Sequence, residues 1–137
     1  EGTFACKING VNWQRCGGNL KASSLTGEWH PVYKIFSLQV LRRCEGFDNA
    51  FTITAYIDSV GKYDFHYASY REPDLICQAV IDNRYRLVEA AENWIDILNL
   101  DKEEFIVSGT FQCTLVHEGC GDTLFITDGR FDYDWAN

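Results

Sequence analysis

Between Glu104 and Trp135 apolar and polar residues alternate along the chain. Phe105, Val107, Gly109, Phe111, Cys113 and Leu115 share one parity, and Ile106, Ser108, Thr110, Gln112 and Thr114 share the other. That is the period of a strand with one face on a core. His117-Glu118-Gly119-Cys120-Gly121-Asp122 reads as the connection to a returning strand, because two glycines so close serve no strand interior. On the return Leu124 and Ile126 have one parity, whereas Phe131, Tyr133 and Trp135 have the opposite one. One inserted residue restores the phase, and Asp128-Gly129 is where a β-bulge would supply it. All five apolar residues then face inward, with Asp132 and Asp134 on the other side.

The rest of the chain carries the same signal in shorter runs. Thr3 to Ile8 alternates, Asn9-Gly10 follows, and Val11 to Trp13 resumes. An Asn-Gly pair in that setting predicts a tight hairpin, because both turn residues must accept positive φ. Residues 16–28 read as loop, with a short strand near Leu20. Tyr33 to Arg43 predicts a strand with Phe36, Leu38 and Val40 on one face. After a turn at Glu45 to Asn49, Phe51, Ile53, Ala55 and Ile57 line the next strand. Gly61-Lys62 breaks the pattern before Tyr63, Phe65 and Tyr67, and Ser69 to Asp74 reads as loop. Leu75 to Ile81 predicts another strand, turned at Asp82-Asn83 into Arg84 to Val88. A short helical turn or loop near 88–92 then leads into a strand from Trp94 to Leu100.

Nine or ten short strands with frequent turn signals predict an all-β fold in one domain over 1–137, an antiparallel β-sandwich or closed β-barrel with mostly local pairing. No helices are available as the crossovers that a parallel sheet needs. At 137 residues the chain is long enough to bury about two-thirds of its unfolded surface in one core. Nine Phe, seven Tyr and four Trp suit such an interior. No apolar run reaches the ~18 residues of a membrane-spanning helix. The chain lacks methionine even at position 1 and has no signal-peptide core before Glu1, which predicts a processed or trimmed product.

Charge narrows the partners. The 12 basic and 20 acidic residues give a net charge of −8. Residues 1–50 hold six basic and four acidic groups (+2), and residues 51–137 hold six and sixteen (−10). Nucleic acids and anionic lipid surfaces are therefore excluded as expected partners. The six cysteines divide by context. Cys6, Cys77 and Cys113 share parity with apolar neighbours and read as core-facing. Cys16 and Cys120 lie beside glycines in loops and are the candidates for a disulfide.

No constellation of residues makes a persuasive active centre, and no catalytic, cofactor or metal residue is assigned. Cys113, His117 and Cys120 gather two thiolates and an imidazole at one hairpin tip, but Cys113 faces inward and a fourth zinc ligand is missing from the spacing. His117 and Cys120 as base and nucleophile lack an orienting third group. Asp132 and Asp134 lie roughly 7 Å apart on one strand face, a separation compatible with the two acids of a glycoside hydrolase. Outward aspartates on a final strand more often protect an edge or a solvent face. Asp128 to Asp134 lacks the spacing of an EF-hand, and phosphate-loop, nucleophile-elbow and paired-histidine motifs are absent. Trp29 and Tyr70, together with Trp13, are the aromatics placed for recognition of a sugar or a protein.

The runs Ile106-Val107-Ser108-Gly109-Thr110-Phe111 and Ile126-Thr127-Asp128-Gly129-Arg130-Phe131-Asp132 resemble the C-terminal signature of small uncharacterised Bacteroidetes envelope lipoproteins. Phe4 to Trp13 is similar to their N-terminal hairpin, and Trp94 to Asp101 to the run before the signature. The resemblance implies export with a lipidated cysteine upstream of Glu1, and hence a place in the periplasm or on the outer-membrane surface. It carries no activity. The signature also has a reading in folding alone: Gly109 admits an aromatic from the paired strand, Gly129 supplies the bulge, and Arg130 and Asp132 offer complementary outer charges. The expected function is thus a non-enzymatic envelope domain, binding or structural, whose partner is a glycan, a protein or a small apolar ligand. The alternatives are a lipocalin-like small-ligand carrier and a surface-carboxylate glycoside hydrolase.

Overall fold

The computed structural model describes residues 2–14, 23–44, 47–71, 84–117 and 119–134. Within them the chain is all-β. Its strands are β1 (Gly2–Ile8), β2 (Val11–Gln14), β3 (Ser23–His30), β4 (Ile35–Cys44), β5 (Phe47–Tyr56), β6 (Gly61–Tyr63), β7 (Tyr67–Arg71), β8 (Arg84–Leu87), β9 (Trp94–Asp101), β10 (Ile106–Val116) and β11 (Thr123–Asp134). They form one antiparallel sheet in the order β2-β1-β11-β10-β8-β7-β5-β4-β3, with β9 pairing β10 and β6. The sheet curls into a half-barrel around a single interior.

The hairpin of β10 and β11 stands at the middle of this sheet. On β10, Val107, Gly109, Phe111, Cys113 and Leu115 are buried, and every alternate residue is half-exposed. β11 changes phase where the alternation requires it. Phe111 pairs with Gly129 and Cys113 with Ile126, so Gln112 faces both Thr127 and Asp128. The ladder to β1 makes the same jump, with Ala5 on Arg130 and Lys7 on Thr127. Ile126, Phe131 and Tyr133 all enter the core, while Phe125, Arg130 and Asp132 stay outside. The division of labour differs from the expected one. Asp128 takes the positive φ of 50°, and Gly129 makes room for a ring. A Cβ at Gly129 would lie 2.6 Å from the Phe111 ring, and one at Gly109 would lie 3.0 Å from the Phe131 ring. Each strand thus lends one glycine to the other's phenylalanine.

The β1–β2 hairpin turns at Asn9 (φ 51°) and Gly10 (φ 82°), and Ile8 pairs with Val11. Asn9 also ties the turn to β11: its side-chain oxygen accepts from Phe125 N at 2.8 Å. The interior is filled by rings in series. Phe4 lies 5.4 Å from Phe111 and 5.6 Å from Phe51, Phe51 lies 4.6 Å from Tyr70, and Phe36 stacks on Phe131 at 5.6 Å. Each fully buried phenylalanine contributes about 1.5–3 kcal/mol of hydrophobic stabilisation.

Several expectations need correction. Ser23–His30 is a full strand, β3, where loop was expected. Among the described residues it forms an edge paired only to β4, and its Ser-Ser-Leu-Thr-Gly-Glu run alternates too weakly to stand out from a loop. β7 continues through Ser69, Tyr70 and Arg71. Asn49 belongs to β5 rather than to a turn, and Phe105 (φ 49°) closes the turn before β10. Eleven strands are described in place of nine or ten. Pairing among the described strands is mostly local, as expected, with β1 joining β11, the last described strand, at the longest range. The strand and turn expected from Leu75 to Asn83, the strand near Leu20, and the inward placing of Cys77 and Trp135 fall outside the described residues.

Candidate functional site

One end of the interior is polar, and the fold assembles it from six strands. The Asn-Gly turn folds β2 onto β1, which sets Trp13 opposite Cys6 and buries its ring, 4% exposed. On β4 the inward row Leu38 and Val40 ends in Arg42, whose guanidinium carbon lies 4.7 Å from the Trp13 ring centre. Such a stack is worth about 0.5–1 kcal/mol where the cation keeps some solvent. Arg42 pairs across the sheet with Asn49 of β5. The Asn49 amide donates to the Tyr70 hydroxyl at 3.0 Å. Tyr70 pairs with Tyr85 of β8, and the Tyr85 ring lies 5.4 Å from His117 at the end of β10.

This end holds the buried polar atoms that the described residues leave without a hydrogen bond. They are Trp13 Nε1, Asn49 Oδ1, and both ring nitrogens of His117. Native interiors pair more than nine in ten of such groups, and each one unpaired costs about 1–3 kcal/mol. Here four atoms fall on three residues linked through Tyr70 and Tyr85. A cavity of about 260 Å³ opens beside Trp13, walled also by Ile8, Val11, Asn12, Arg42, Tyr70 and Leu124. At about 30 Å³ per water it has room for several waters or one small ligand.

The residues singled out for recognition are placed differently from expectation. Tyr70 is not a loop aromatic but a core residue, 2% exposed, so it serves the site as a wall and a hydrogen-bond partner rather than as a surface stacking platform. Trp29 lies at the opposite end on β3, half-buried, and its indole donates to Ile57 O at 3.1 Å. It is part of a structural clamp with Lys102, whose Nζ lies 5.4 Å from its ring. At that end Asp58 receives Lys34 at 2.6 Å and Lys102 at 3.1 Å. These two bonds, that from Lys34 foremost, hold its carboxyl below the usual range, so Asp58 is an ionised acceptor and not a general acid. The signal that would have located the polar end was the placing of Arg42 and His117 at the inward parity of otherwise apolar strands.

The cysteine chemistry resolves without a metal or a nucleophile. Cys120 is disulfide-bonded and its partner's side chain lies outside the described residues, as does Cys16. The zinc set of Cys113, His117 and Cys120 and the His117–Cys120 dyad therefore lose their shared thiolate. Cys6 and Cys113 are free and buried. Burial pushes each thiol up from 9.0 to about 12; Arg42 opposes the shift at Cys6, and the neighbouring Cys6 adds to it at Cys113. Thiols so raised are inert. Of the outer carboxylates, Asp132 is exposed on open sheet and Asp128 pairs with Lys7 at 3.4 Å. Among the described residues no group of three or more His, Cys, Asp or Glu is placed to hold a metal ion.

Set beside known proteins, the chain matches no family model, no curated protein and no solved structure.

Proposed function

We propose that this chain is the folded part of an exported cell-envelope protein, lipid-anchored through a segment upstream, and that it works as a non-enzymatic binding module. Its ligand is small and enters the polar end of the half-barrel, with an apolar flank against Ile8 and Leu124 and hydrogen-bonding groups toward Trp13 and Asn49. The observation that carries this reading is the gathering of unpaired buried polar atoms on Trp13, Asn49 and His117, with Trp13 itself walling a cavity. Polar groups kept at a cost to stability are a mark of sites held ready for a partner. The disulfide at Cys120 supports an oxidising compartment. The resemblance of the SGTF and ITDGRFD runs to envelope lipoproteins agrees with that placement.

The other two readings find less support. A lipocalin-like carrier needs a deep apolar cavity, whereas rings occupy the centre of this interior. A glycoside hydrolase needs two carboxyls converging on one bond, whereas Asp132 is exposed on the outer face of the sheet and Asp128 is paired with Lys7.

The test joins stability to binding. His117→Leu removes two unpaired nitrogens at nearly constant volume, and it is expected to raise the unfolding free energy by about 1–2 kcal/mol. A thermal-shift screen of small hydrogen-bonding compounds is expected to find one that raises the melting temperature of the natural protein, with the gain reduced in Arg42→Ala and Trp13→Phe. A destabilised His117→Leu together with an unresponsive screen would refute the reading.

A further inference from the structure

The outer face of the sheet gathers exposed rings into one row. Of the seven tyrosines, Tyr33 and Tyr56 are the exposed ones, at 66% and 49%. Of the three histidines, His30 and His66 are exposed and His117 is buried. These four rings stand together. His30 of β3, Ile35 of β4 and Tyr56 of β5 are successive partners across the sheet. They have the outward parity of strands whose Trp29, Phe36 and Ala55 belong to the core. Tyr33 lies on His30 with ring centres 4.7 Å apart, and His66 lies on Tyr56 at 4.9 Å. From His30 to Tyr56 alone the row crosses two strand spacings, roughly 10 Å.

The neighbouring row supplies hydroxyls. Glu28, Ser37, Thr54 and Tyr67 stand side by side across β3, β4, β5 and β7, and the Ser37 and Thr54 hydroxyls share a hydrogen bond at 3.3 Å. Beside the rings, His30 Nδ1 accepts from Tyr33 N at 3.4 Å, so the neutral imidazole carries its proton on Nε2, as a donor. Single exposed aromatics are ordinary on a protein surface, but here both exposed tyrosines and both exposed histidines share one strip. Charge is sparse in it. Glu28 is the one ionised side chain of the two rows, and Lys34 in the adjoining turn is held by Asp58 at 2.6 Å. An anion therefore finds no cation in either row. The centre of a protein interface is dry and apolar, whereas the aliphatic part of this strip is a half-buried Ile35. Each tyrosine offers an apolar face and a polar tip. That is the complement of a pyranose, which has C–H groups on its faces and hydroxyls around its rim.

We propose that this strip binds a neutral oligosaccharide laid across β3, β4 and β5, its sugar rings on Tyr33 and Tyr56 and its hydroxyls toward His30, His66, Ser37 and Thr54. The strip lies on the opposite face of the sheet from the interior cavity and shares no residue with it, so the proposal stands independently of the function proposed above.

The test is an amide NMR titration of the natural protein with maltohexaose, cellohexaose and mannohexaose, and with glucose for comparison. At least one of the hexasaccharides is expected to shift Tyr33, Ser37, Thr54 and Tyr56, with an affinity that added salt leaves unchanged. Glucose, which covers one ring at most, is expected to bind at least about tenfold more weakly. Tyr33→Ala and Tyr56→Ala are each expected to weaken the hexasaccharide by about threefold to tenfold, the worth of one ring contact, whereas Tyr56→Phe keeps the ring and most of the affinity. Phe125→Ala, which removes an exposed ring on β11, is expected to leave affinity unchanged. The absence of shifts at the strip with all three hexasaccharides, shifts confined to the interior cavity, or affinity insensitive to both alanine substitutions overturns the proposal. So does glucose binding as tightly as the hexasaccharides. Shifts at the strip on raising the protein concentration without sugar also overturn it, because the face would then be meeting a second copy of the chain. Because the titration uses the unaltered protein, a variant that fails to fold does not remove the test.

Discussion

Gly109 and Gly129 sit where a side chain would meet a ring, while Gly10 sits where only the backbone objects. The two cases separate experimentally. Gly129→Ala is expected to lower the unfolding free energy by about 1–3 kcal/mol, the usual cost of overpacking, because its Cβ would press on Phe111. Gly10→Ala meets nothing within 4 Å and is expected to cost about 1 kcal/mol through its positive φ. Urea denaturation of both variants compares them directly. A second residue-scale prediction concerns Cys6 and Cys113. A thiol raised to about 12 in the folded state keeps its proton where the unfolded chain has already lost it. The stability from each is complete below about pH 9 and falls as pH rises toward 12, by about 1.4 kcal/mol per pH unit per thiol. Unfolding measured from pH 8 upward shows that slope, and Cys113→Val reduces it. At this scale the sequence was legible where parity was clean, and both thiols had been placed inward for that reason. Arg42 and His117 were not read, because parity says which way a side chain points and not what it meets there.

The hairpins were the legible elements. Asn9-Gly10 and the run from Ile106 to Asp134 state their turn and their phase in local residues, and local turn chemistry decides them. β3 and β7 were missed for the opposite reason. β3 is an edge strand whose pairing comes from β4, and β7 is held by β5 and β8 over a short run that ends in Tyr-Arg. Their state is set by the strands they pair with rather than by an alternation of their own. The bulge in β11 yields a prediction of its own. Deleting Asp128 would remove the extra residue from both ladders at once, turning either Phe131 and Tyr133 or Ile126 and Leu124 out of the core. The expected loss exceeds about 4 kcal/mol, more than any single large-to-small change in that strand would give. Loss of the cooperative transition in circular dichroism reads it out, whereas deleting Gly119 in the connecting turn is expected to leave the transition in place.

For the whole molecule, composition spoke to class and the residues to shape. The aromatic content and short period gave an all-β domain, but whether the layers were two sheets or one curled sheet depended on which distant strands pair. The candidate site brings Trp13 of β2 against Arg42 of β4 and Tyr70 of β7, strands far apart in sequence, and so was beyond a local reading. The envelope placement has a molecular test. Alkylation of protein taken directly from its native cells is expected to leave Cys120 blocked as a disulfide and to modify Cys6 and Cys113 only after unfolding; a Cys120 that alkylates without reduction would contradict it. One feature of the topology bears on how the protein is made. β1 lies between β2 and β11, so the earliest of the described strands waits for the latest before its second edge is covered. A growing chain would carry β1 and β2 as a short, weak ribbon and could close this sheet only once β11 had been synthesised.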